Sequence, residues 1–393
     1  MAVRTGLDTC IGNGFKAFHG KRVGVVCHQA SIGSDYKHIL DHLMPLHEAG
    51  KLEIVACFGP QHGIWGHTQD NMIEWEGYKD ARTGLTFYSL YGERREPSPD
   101  MLENIDELIF DVQDVGARYY TFIWTLANCM AACDPLGIPI TVLDRPNPIG
   151  GVQTEGPGHN MEFRSFVGLY PLPVRHGLTI AEVGRYLQST YLPNVALKIV
   201  ECEGWDRSQY QDETGLKWGL PSPNMPTIDT ALVYPGQCLL EGTKLSEGRG
   251  TTRPFEISGA PGIDAWKLCD ALNRHQIPGV FFRPIQFQPT FQKYAGEVCQ
   301  GAFIHVTDRS RFRPVLCTAM LLTEILKYFP DAFQWQVPPY EYEYVKLPID
   351  ILSGGEQFRI AVEDGWNLSR WMEWIDSDGN QLISQTQEYK IYG

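Results

Sequence analysis

The sequence predicts an α/β protein: a Rossmann-like parallel-sheet N-terminal domain followed by a second, smaller α/β (or α+β) domain. Two observations support this prediction. Short β-branched runs alternate with helical stretches over the first half of the chain, which is the pattern of a parallel sheet. Three apolar runs, 52–58, 107–110 and 138–143, each stop abruptly in a polar turn. Open parallel sheets bind ligands beyond the carboxyl ends of their strands, so these turns together indicate a ligand site.

The first half is predicted to alternate strands with helices. A helix capped near Ser34 or Asp35 is expected to run to Met44, where Pro45 ends it. The stretch 117–133 is apolar on most sides, as expected for a helix that covers a sheet. The predicted strands are 22–27, 52–58, 108–111 and 138–143.

A shift to glycine, proline and polar residues between 147 and 177 marks the crossing between domains. We therefore expect a Rossmann-like domain over residues 1–165 and a C-terminal α/β domain over 166–393, with the active site in the cleft between them. The tail from Tyr340 mixes aromatic with acidic residues and is expected to pack back on the body.

The second half begins with a predicted helix over 179–190. Thr179 and Glu182 have the spacing of a capping box at its start. Strands of the second domain are expected at 196–200, 280–285 and 302–306.

Length, charge and cysteine content limit the class of protein. With 393 residues the chain exceeds what one hydrophobic core usually serves, which favours two domains. The net charge of −14 disfavours nucleic acid and anionic membranes as partners, because both require a basic face. We see no secretory signal in residues 1–9 and no apolar stretch of the roughly 20 residues that span a bilayer. The ten cysteines have no paired spacing, so reduced thiols and a cytoplasmic location are expected.

Several common sites lack their sequence motifs. Residues 28–33 follow the first strand without the G-x-G-x-x-G of dinucleotide sites, and no G-x-x-x-x-G-K-[ST] occurs. The G-x-S-x-G elbow of serine hydrolases is also absent. His38 and His42 have the spacing of helical zinc ligands, but we expect them on the solvated face of their helix. These observations disfavour nucleotide, serine-hydrolase and metal chemistry.

The first polar turn, 59–63, presents Gln61 and His62 beyond a buried strand. An acidic loop with two tryptophans, Trp65 and Trp75, follows it. Carboxylates beside tryptophan suit a sugar ring, which needs an apolar platform and hydrogen-bonding groups. Solvated loop charges are the alternative interpretation. The polar residues of the loop are Asp70, Asn71, Glu74 and Glu76.

The second polar turn places Asp111 and Asp114 on either side of Gln113, with Arg118 and Tyr119 shortly after. Carboxylates this close can have their pKa values pushed apart, which leaves one protonated near neutrality. Alternatively, one of the two simply caps the next helix. The remaining polar candidates, in segments framed by glycine or proline, are Asn147, Arg175, His176, Asn224, Glu241 and Arg249.

Several segments, taken together and in this order, resemble the DUF1343 family, the NamZ-type exo-β-N-acetylmuramidases. The resemblance extends from Gly6 to about Asp331, with a looser match in the tail. The segments that carry it are 58–63, 110–120, 143–148, 163–166, 173–177, 222–225 and 240–251.

The resemblance implies a glycosidase of cell wall recycling that releases N-acetylmuramic acid from the non-reducing end of peptidoglycan fragments, without metal or other cofactor. Its substrate would be a small saccharide or muropeptide, whose lactyl carboxylate is a natural partner for Arg175 or Arg249. However, Gln61 stands where relatives often have glutamate, and an amide cannot donate a catalytic proton. The alternative is therefore a non-catalytic saccharide-binding or sensing protein on the same scaffold.

Glycoside hydrolysis requires a carboxylic acid for the leaving oxygen and a second carboxylate on the other face of the sugar. The sequence leaves open which residue is the acid, which glycan is accepted and how many chains assemble. It also leaves open whether the mechanism is retaining, inverting or assisted by the 2-acetamido group. The catalytic candidates are Glu74, Glu76, Asp111, Asp114 and Glu241. The candidates for substrate binding are Gln61, His62, Gln113, Arg118, Tyr119, Asn147, Arg175, His176, Asn224 and Arg249.

Overall fold

A seven-stranded sheet forms the first half of the molecule, as seen in a computed structural model that describes residues 2–69 and 72–393. Its strands are β1 (Arg22–Cys27), β2 (Glu53–Gly59), β3 (Tyr78–Lys79), β4 (Thr86–Ser89), β5 (Glu107–Asp111), β6 (Ile140–Leu143) and β7 (Leu197–Val200). The spatial order is β3-β4-β2-β1-β5-β6-β7, and β3 alone runs antiparallel to its neighbour. Without β3, this is the doubly wound order, in which the chain changes direction between β1 and β5. The predicted Rossmann-like sheet is confirmed.

The last strand of this sheet was expected in the second domain, and that expectation is wrong. β7 pairs in parallel with β6, with Val200 opposite Leu143. The sequence of β7 is too short and too apolar to show which sheet it joins. Only its hydrogen-bonded partner strand shows this. The large sheet therefore continues past the boundary expected at residue 165.

The helices of this half lie along the sheet. They are α1 (Gly6–Asn13), α2 (Ile39–Glu48), α3 (Pro99–Leu102), α4 (Phe122–Cys133) and α5 (Ile180–Thr190). The capping box predicted for α5 is present, since the Thr179 hydroxyl accepts from the Glu182 amide and the Glu182 carboxylate accepts from the Thr179 amide. α4 is buried on nearly every side, as its composition predicted.

The start and end predicted for α2 are wrong. His38 caps the helix: its Nδ1 accepts from the Leu40 amide at 3.3 Å, while Nε2 donates to the His28 carbonyl at 3.0 Å. The helix therefore begins at Ile39, and it continues through Pro45 instead of ending there. Because His38 serves as the cap, it is buried and not on the solvated face where we expected it.

The second half contains a three-stranded antiparallel sheet and six helices among the described residues, which confirms a smaller α+β unit. The strands, in spatial order β8-β10-β9, are β8 (Ile257–Ala260), β9 (Val280–Phe287) and β10 (Cys299–Val306). The helices are α6 (Ile228–Gln237), α7 (Ala265–Arg274), α8 (Pro314–Tyr328), α9 (Pro348–Ser353), α10 (Gln357–Glu363) and α11 (Leu368–Thr386). α8 is buried over most of its length and packs against α6, α7, α10 and α11.

The two halves share one continuous hydrophobic core. A buried carboxylate also joins them, because both oxygens of Glu155 accept 3.0 Å hydrogen bonds from the amides of Val315 and Leu316 at the start of α8. Helix N-termini favour negative charge, so this contact fixes α8 against the first half. Within the described ranges, no helix is both long and apolar enough to cross a bilayer.

Candidate active site

A cavity lies where the turn after β2 and the start of α4 face the second half of the chain. Polar side chains from both halves line it. Six residues singled out from the sequence meet there: Gln61, His62, Tyr119, Asn224, Glu241 and Arg249.

Close packing and a hydrogen bond hold the turn after β2 in place. A Cβ on Gly59 would lie 2.7 Å from both Ile64 and Trp75, so no other residue fits there. The Trp75 indole donates a 3.1 Å hydrogen bond to the carbonyl of residue 60. Trp75 therefore supports the turn that carries Gln61 and His62, and it does not form the sugar platform we expected in the acidic loop.

Gln61 and His62 present neutral hydrogen-bonding groups. The Thr121 hydroxyl donates to Gln61 Oε1 at 2.8 Å, which fixes the orientation of the amide. The His62 ring makes a 2.8 Å hydrogen bond from Nδ1 to the Thr68 carbonyl. Burial lowers the pKa of His62 to about 4. The hydrogen bond to the Thr68 carbonyl raises it in part, and the charge of Arg249 makes a smaller lowering contribution. With the proton on Nδ1, Nε2 of His62 is a hydrogen-bond acceptor at neutral pH.

The second half contributes an ion pair. Glu241 lies in the 3-10 turn after α6, and Arg249 lies between two glycines with φ near +79° and +78°. Arg249 Nη2 donates to Glu241 Oε1 at 2.7 Å, and the Tyr340 hydroxyl donates to Glu241 Oε2 at 2.5 Å. Burial lowers the pKa of Arg249, but the carboxylates of Glu241 and Glu247 outweigh burial and raise it above its ordinary value. Arg249 is therefore a permanent cation in the cavity wall.

Glu341 is a cavity residue that the sequence did not single out. It is almost fully buried, and both of its oxygens accept from the Tyr91 hydroxyl, at 3.2 and 3.1 Å. Burial and the charge of Glu241 raise the pKa of Glu341 to about 7. The only signal in the sequence is the alternation of aromatic and acidic residues over 340–344, in the tail that packs back on the body as predicted.

Aromatic rings form one wall of the cavity. Tyr234 makes edge-to-face contacts with Tyr119, Tyr120 and Phe255, with ring centroids 5.8, 5.6 and 4.8 Å away. The Tyr119 hydroxyl donates to the Pro235 carbonyl, which ties the start of α4 to α6. This wall is the apolar surface that a saccharide ring can stack on.

Asn224 bridges the two halves beside the cavity. Its Nδ2 donates to the Gln69 carbonyl at 2.6 Å, and Gln69 Nε2 donates back to Asn224 Oδ1 at 3.3 Å. The reciprocal pair holds the loop 221–225 against the segment that follows the Gln61 turn.

Asp111 lies outside this cavity. It is fully buried at the end of β5, where Arg145 grips both oxygens: Nε to Oδ1 at 2.5 Å and Nη2 to Oδ2 at 2.9 Å. Burial raises the pKa of Asp111, and the guanidinium of Arg145 opposes that rise. Asp144, which precedes Arg145 in the chain, accepts instead from Thr179, Ala181 and Tyr392.

Asp114, Gln113 and His176 form a neighbouring cluster that does not line the cavity. Asp114 Oδ2 accepts from the Gly116 amide at 2.7 Å and lies 3.3 Å from His176 Nε2. Gln113 donates to the carbonyls of Asp114 and Pro146, and it borders a separate cavity that also contains Arg145. The carboxylates of Asp111 and Asp114 therefore each have their own cationic or amide partner.

Three further candidates are enclosed by backbone carbonyls. Arg118 donates to the carbonyls of residues 157, 172 and 352, and Asn147 donates to the carbonyl of residue 178. Arg175 donates to the carbonyl of residue 149 and to Gln153. All three are buried, and none of them lines the cavity.

The acidic loop contributes two exposed carboxylates. Glu74 accepts a 2.8 Å hydrogen bond from the Tyr342 hydroxyl, and Glu76 is exposed. Neither lines the cavity. Asp70 and Asn71 lie outside the described residues. Within the described ranges, no three His, Cys, Asp or Glu side chains are arranged to hold a metal ion.

Comparison with known proteins assigns the chain to a family. The profile "Exo-beta-N-acetylmuramidase NamZ, N-terminal" matches residues 23–229, and the corresponding C-terminal profile matches residues 232–392. The chain belongs to the NamZ family. It is 40% identical to the peptidoglycan beta-N-acetylmuramidase NamZ of Bacillus subtilis (strain 168), over 99% of this chain and 91% of the relative.

Solved structures of the family agree with the fold. A DUF1343 family protein from Bacteroides fragilis NCTC 9343 superposes with a TM-score of 0.87 at 31% identity. A second protein from the same strain superposes with a TM-score of 0.73 at 25% identity. Each match covers 100% of this chain and 99% of the other. The two-part architecture is thus shared over the full length of the chain.

Proposed function

We propose that this protein is an exo-β-N-acetylmuramidase, a glycosidase that hydrolyses peptidoglycan fragments and releases N-acetylmuramic acid from their non-reducing end. The observation that carries the proposal is the cavity between the two halves of a NamZ family member. There, a buried carboxylate–arginine pair and an aromatic wall face the Gln61 turn.

The cavity matches the chemistry of the sugar. A pyranose ring stacks on the wall around Tyr234, while Gln61, His62 and Asn224 supply hydrogen-bonding groups. Arg249 is our choice as partner for the lactyl carboxylate of muramic acid, because it is a buried cation in the cavity wall. Arg175, the other arginine considered, is bound to Ile149 and Gln153 elsewhere.

Glu241 is our choice for the carboxylate that faces the developing positive charge. Glycosidase transition states resemble an oxocarbenium ion, which an anionic carboxylate stabilises. The Arg249 and Tyr340 donors hold the Glu241 carboxylate in place beside the cavity. Glu241 forms an ion pair with Arg249, so we assign the leaving-group proton to another residue.

We also propose that the enzyme works in the cytoplasm on small fragments from wall turnover. All ten cysteines are free and buried, as expected for a reducing compartment. Fractionation of cells that express the native chain would test this, and recovery of the protein in the secreted fraction would contradict it.

The assay for the function uses a muramyl-β-1,4-N-acetylglucosamine disaccharide and measures free N-acetylmuramic acid by chromatography. We expect turnover by the native protein and at least a 100-fold lower kcat/KM for Glu241→Gln, since removal of a positioned catalytic carboxylate costs roughly 10²–10⁴-fold. Asp106→Asn, at an exposed ion pair, is the matched control. Tight binding of the disaccharide without release of either sugar would instead support the non-catalytic alternative.

A further inference from the structure

The cavity contains one more carboxylate than its cations can pair with. In the described part of the chain, two carboxylates line it, Glu241 and Glu341, and the arginine in its wall, Arg249, pairs with Glu241 at 2.7 Å. Glu341 faces the same cavity, and its direct hydrogen bonds come from a neutral phenol, Tyr91. This imbalance distinguishes Glu341 from Glu241, the other acid that lines the cavity.

We propose that Glu341 is the general acid of the reaction: its carboxyl proton passes to the glycosidic oxygen of the substrate. This assignment rests on the proposed function. It supplies the proton donor for the leaving group, a role that neither Gln61 nor Glu241 fills. Gln61 is an amide, which cannot supply a catalytic proton. Glu241 is held in an ion pair with Arg249.

The turn that carries Glu341 is fixed from the opposite half of the molecule. The Glu341 amide contacts Met72 Sδ at 3.4 Å, and the Tyr342 hydroxyl donates to Glu74 at 2.8 Å. The guanidinium of Arg95 lies 3.4 Å from the centre of the Tyr342 ring. Segments that follow β2 and β4 therefore hold the tail in position beside the Gln61 turn.

The backbone at this turn adopts a conformation that non-glycine residues rarely take. φ is +44° at Glu341 and +67° at Tyr342, and the amides of Tyr340 and Glu343 bond to each other's carbonyls at 2.9 Å. Non-glycine residues with left-handed backbone conformations cluster at active sites and ligand-binding sites. Here the turn lets Tyr340 reach Glu241 and Glu341 reach the cavity from adjacent positions in the chain.

The surroundings of Glu341 keep its proton available near neutrality. Burial is the largest effect and raises the pKa of Glu341 to about 7, and the charge of Glu241 adds to it. The Tyr91 hydrogen bond and the charges of Arg95 and Arg249 act in the opposite direction without cancelling the rise. A general acid is most effective when its pKa lies near the working pH.

The C1–oxygen bond of the muramyl residue breaks, and its electron pair stays on the oxygen, which takes the Glu341 proton and leaves as a sugar hydroxyl. Water then supplies a hydroxyl group to C1 and one proton. That proton regenerates the Glu341 carboxyl group, directly or through solvent, so that one water is consumed for each bond cleaved.

The decisive experiment compares two substrates with Glu341→Gln. The leaving sugar of the muramyl disaccharide needs a proton on its glycosidic oxygen. In 2,4-dinitrophenyl β-N-acetylmuramide, by contrast, the dinitrophenyl group departs as a stable phenolate and needs no proton. We expect kcat/KM to fall at least 100-fold for the disaccharide and to change less than about fivefold for the dinitrophenyl substrate. In the native enzyme, disaccharide hydrolysis should decline as pH rises through about 7, because the acid form is the active one. This decline should disappear in the variant.

Equal losses on both substrates, or no loss on the disaccharide, would overturn the assignment. A native protein that cleaves neither substrate would instead show that the proposed function is wrong. Glu343→Gln, in the same turn but outside the cavity, controls for damage to the turn.

A second variant keeps the proposal testable if Glu341→Gln does not fold. Tyr91→Phe removes the hydrogen bond that lowers the pKa of Glu341. The alkaline decline of disaccharide hydrolysis should therefore move to higher pH in this variant. A decline that stays in place would contradict the assignment.

Discussion

Two buried acid–arginine clusters lie near the junction of the two halves, and they are built differently. At the end of β5 one carboxylate, Asp111, meets one guanidinium, Arg145, which grips both of its oxygens. In the cavity wall one guanidinium, Arg249, pairs with Glu241, while Glu341 has a phenol as its hydrogen-bond donor. The first cluster is charge-balanced, and the second contains a surplus acid beside the cavity.

The difference separates a structural role from a catalytic one. Arg145 binds both oxygens of Asp111, and Asp111 does not line the cavity, so it has no access to a substrate bound there. A surplus buried carboxyl favours its neutral form, since both burial and a like charge disfavour ionisation. Perturbed acids in a cleft are therefore candidates for chemistry, and paired acids in the interior are candidates for stability.

The largest effect, on stability, should come from the Asp111–Arg145 pair. Asp111→Asn leaves Arg145 buried without its counter-charge, which costs about 3–5 kcal/mol in comparable buried pairs. We expect the free energy of unfolding in urea to fall by that amount, while kcat/KM of the folded protein stays within about twofold. The exposed pair Asp106–Arg22 offers the control, since Asp106→Asn should cost about 1 kcal/mol or less. A large loss of activity at unchanged stability would instead assign Asp111 a catalytic role and contradict its structural assignment.

The next effect concerns recognition of the lactyl carboxylate. Arg249→Lys keeps the charge but loses the planar, two-pronged donor, and hydrogen bonds to charged groups contribute about 1.5–3 kcal/mol. The ratio of kcat/KM for a β-muramide over the matching β-glucosaminide, which lacks the lactyl group, should fall about 10- to 100-fold. Arg175→Lys should leave this ratio unchanged, because Arg175 does not line the cavity. The reverse result would assign the lactyl group to Arg175.

A smaller effect tests the support of Glu241. Tyr340→Phe removes the 2.5 Å hydrogen bond to Glu241 Oε2 and leaves the Arg249 pair intact. We expect kcat/KM to fall about tenfold for the disaccharide and the dinitrophenyl substrate alike, because Glu241 acts on the sugar ring and not on the leaving group. A loss confined to the disaccharide would show that Tyr340 acts through the leaving group instead.

The smallest effect should come from the acidic loop. Glu76 is exposed and does not line the cavity, so Glu76→Gln should change kcat/KM less than twofold. Steady-state kinetics on the disaccharide measure this directly. A loss above tenfold would mean that the loop closes over the substrate and would return Glu76 to the catalytic candidates.

The sequence predicted the sheet well because the relevant signals are local. Strand β1 was predicted with its correct bounds, and the capping box of α5 was read from two residues. The cap of α2 was missed because a histidine supplies it. Strand β7 was placed in the second domain because a pairing partner far along the chain is invisible in a four-residue run.

The site was harder to predict because burial and pairing decide it. Asp111 and Glu241 look equivalent in sequence, as acids in polar turns, and only their neighbours distinguish them. Arg118 and Arg175 resembled ligand-binding arginines, yet backbone carbonyls occupy them. Glu341 lies some 100 residues from Glu241, in a tail whose only cue was a mixture of aromatic and acidic residues.

The most direct test of the account is a crystal structure of Glu241→Gln with the muramyl disaccharide bound. We predict that the sugar lies in the cavity against the Tyr234 wall, with its glycosidic oxygen within hydrogen-bond distance of a Glu341 oxygen. A disaccharide bound instead in the separate cavity that Gln113 and Arg145 border would contradict the account.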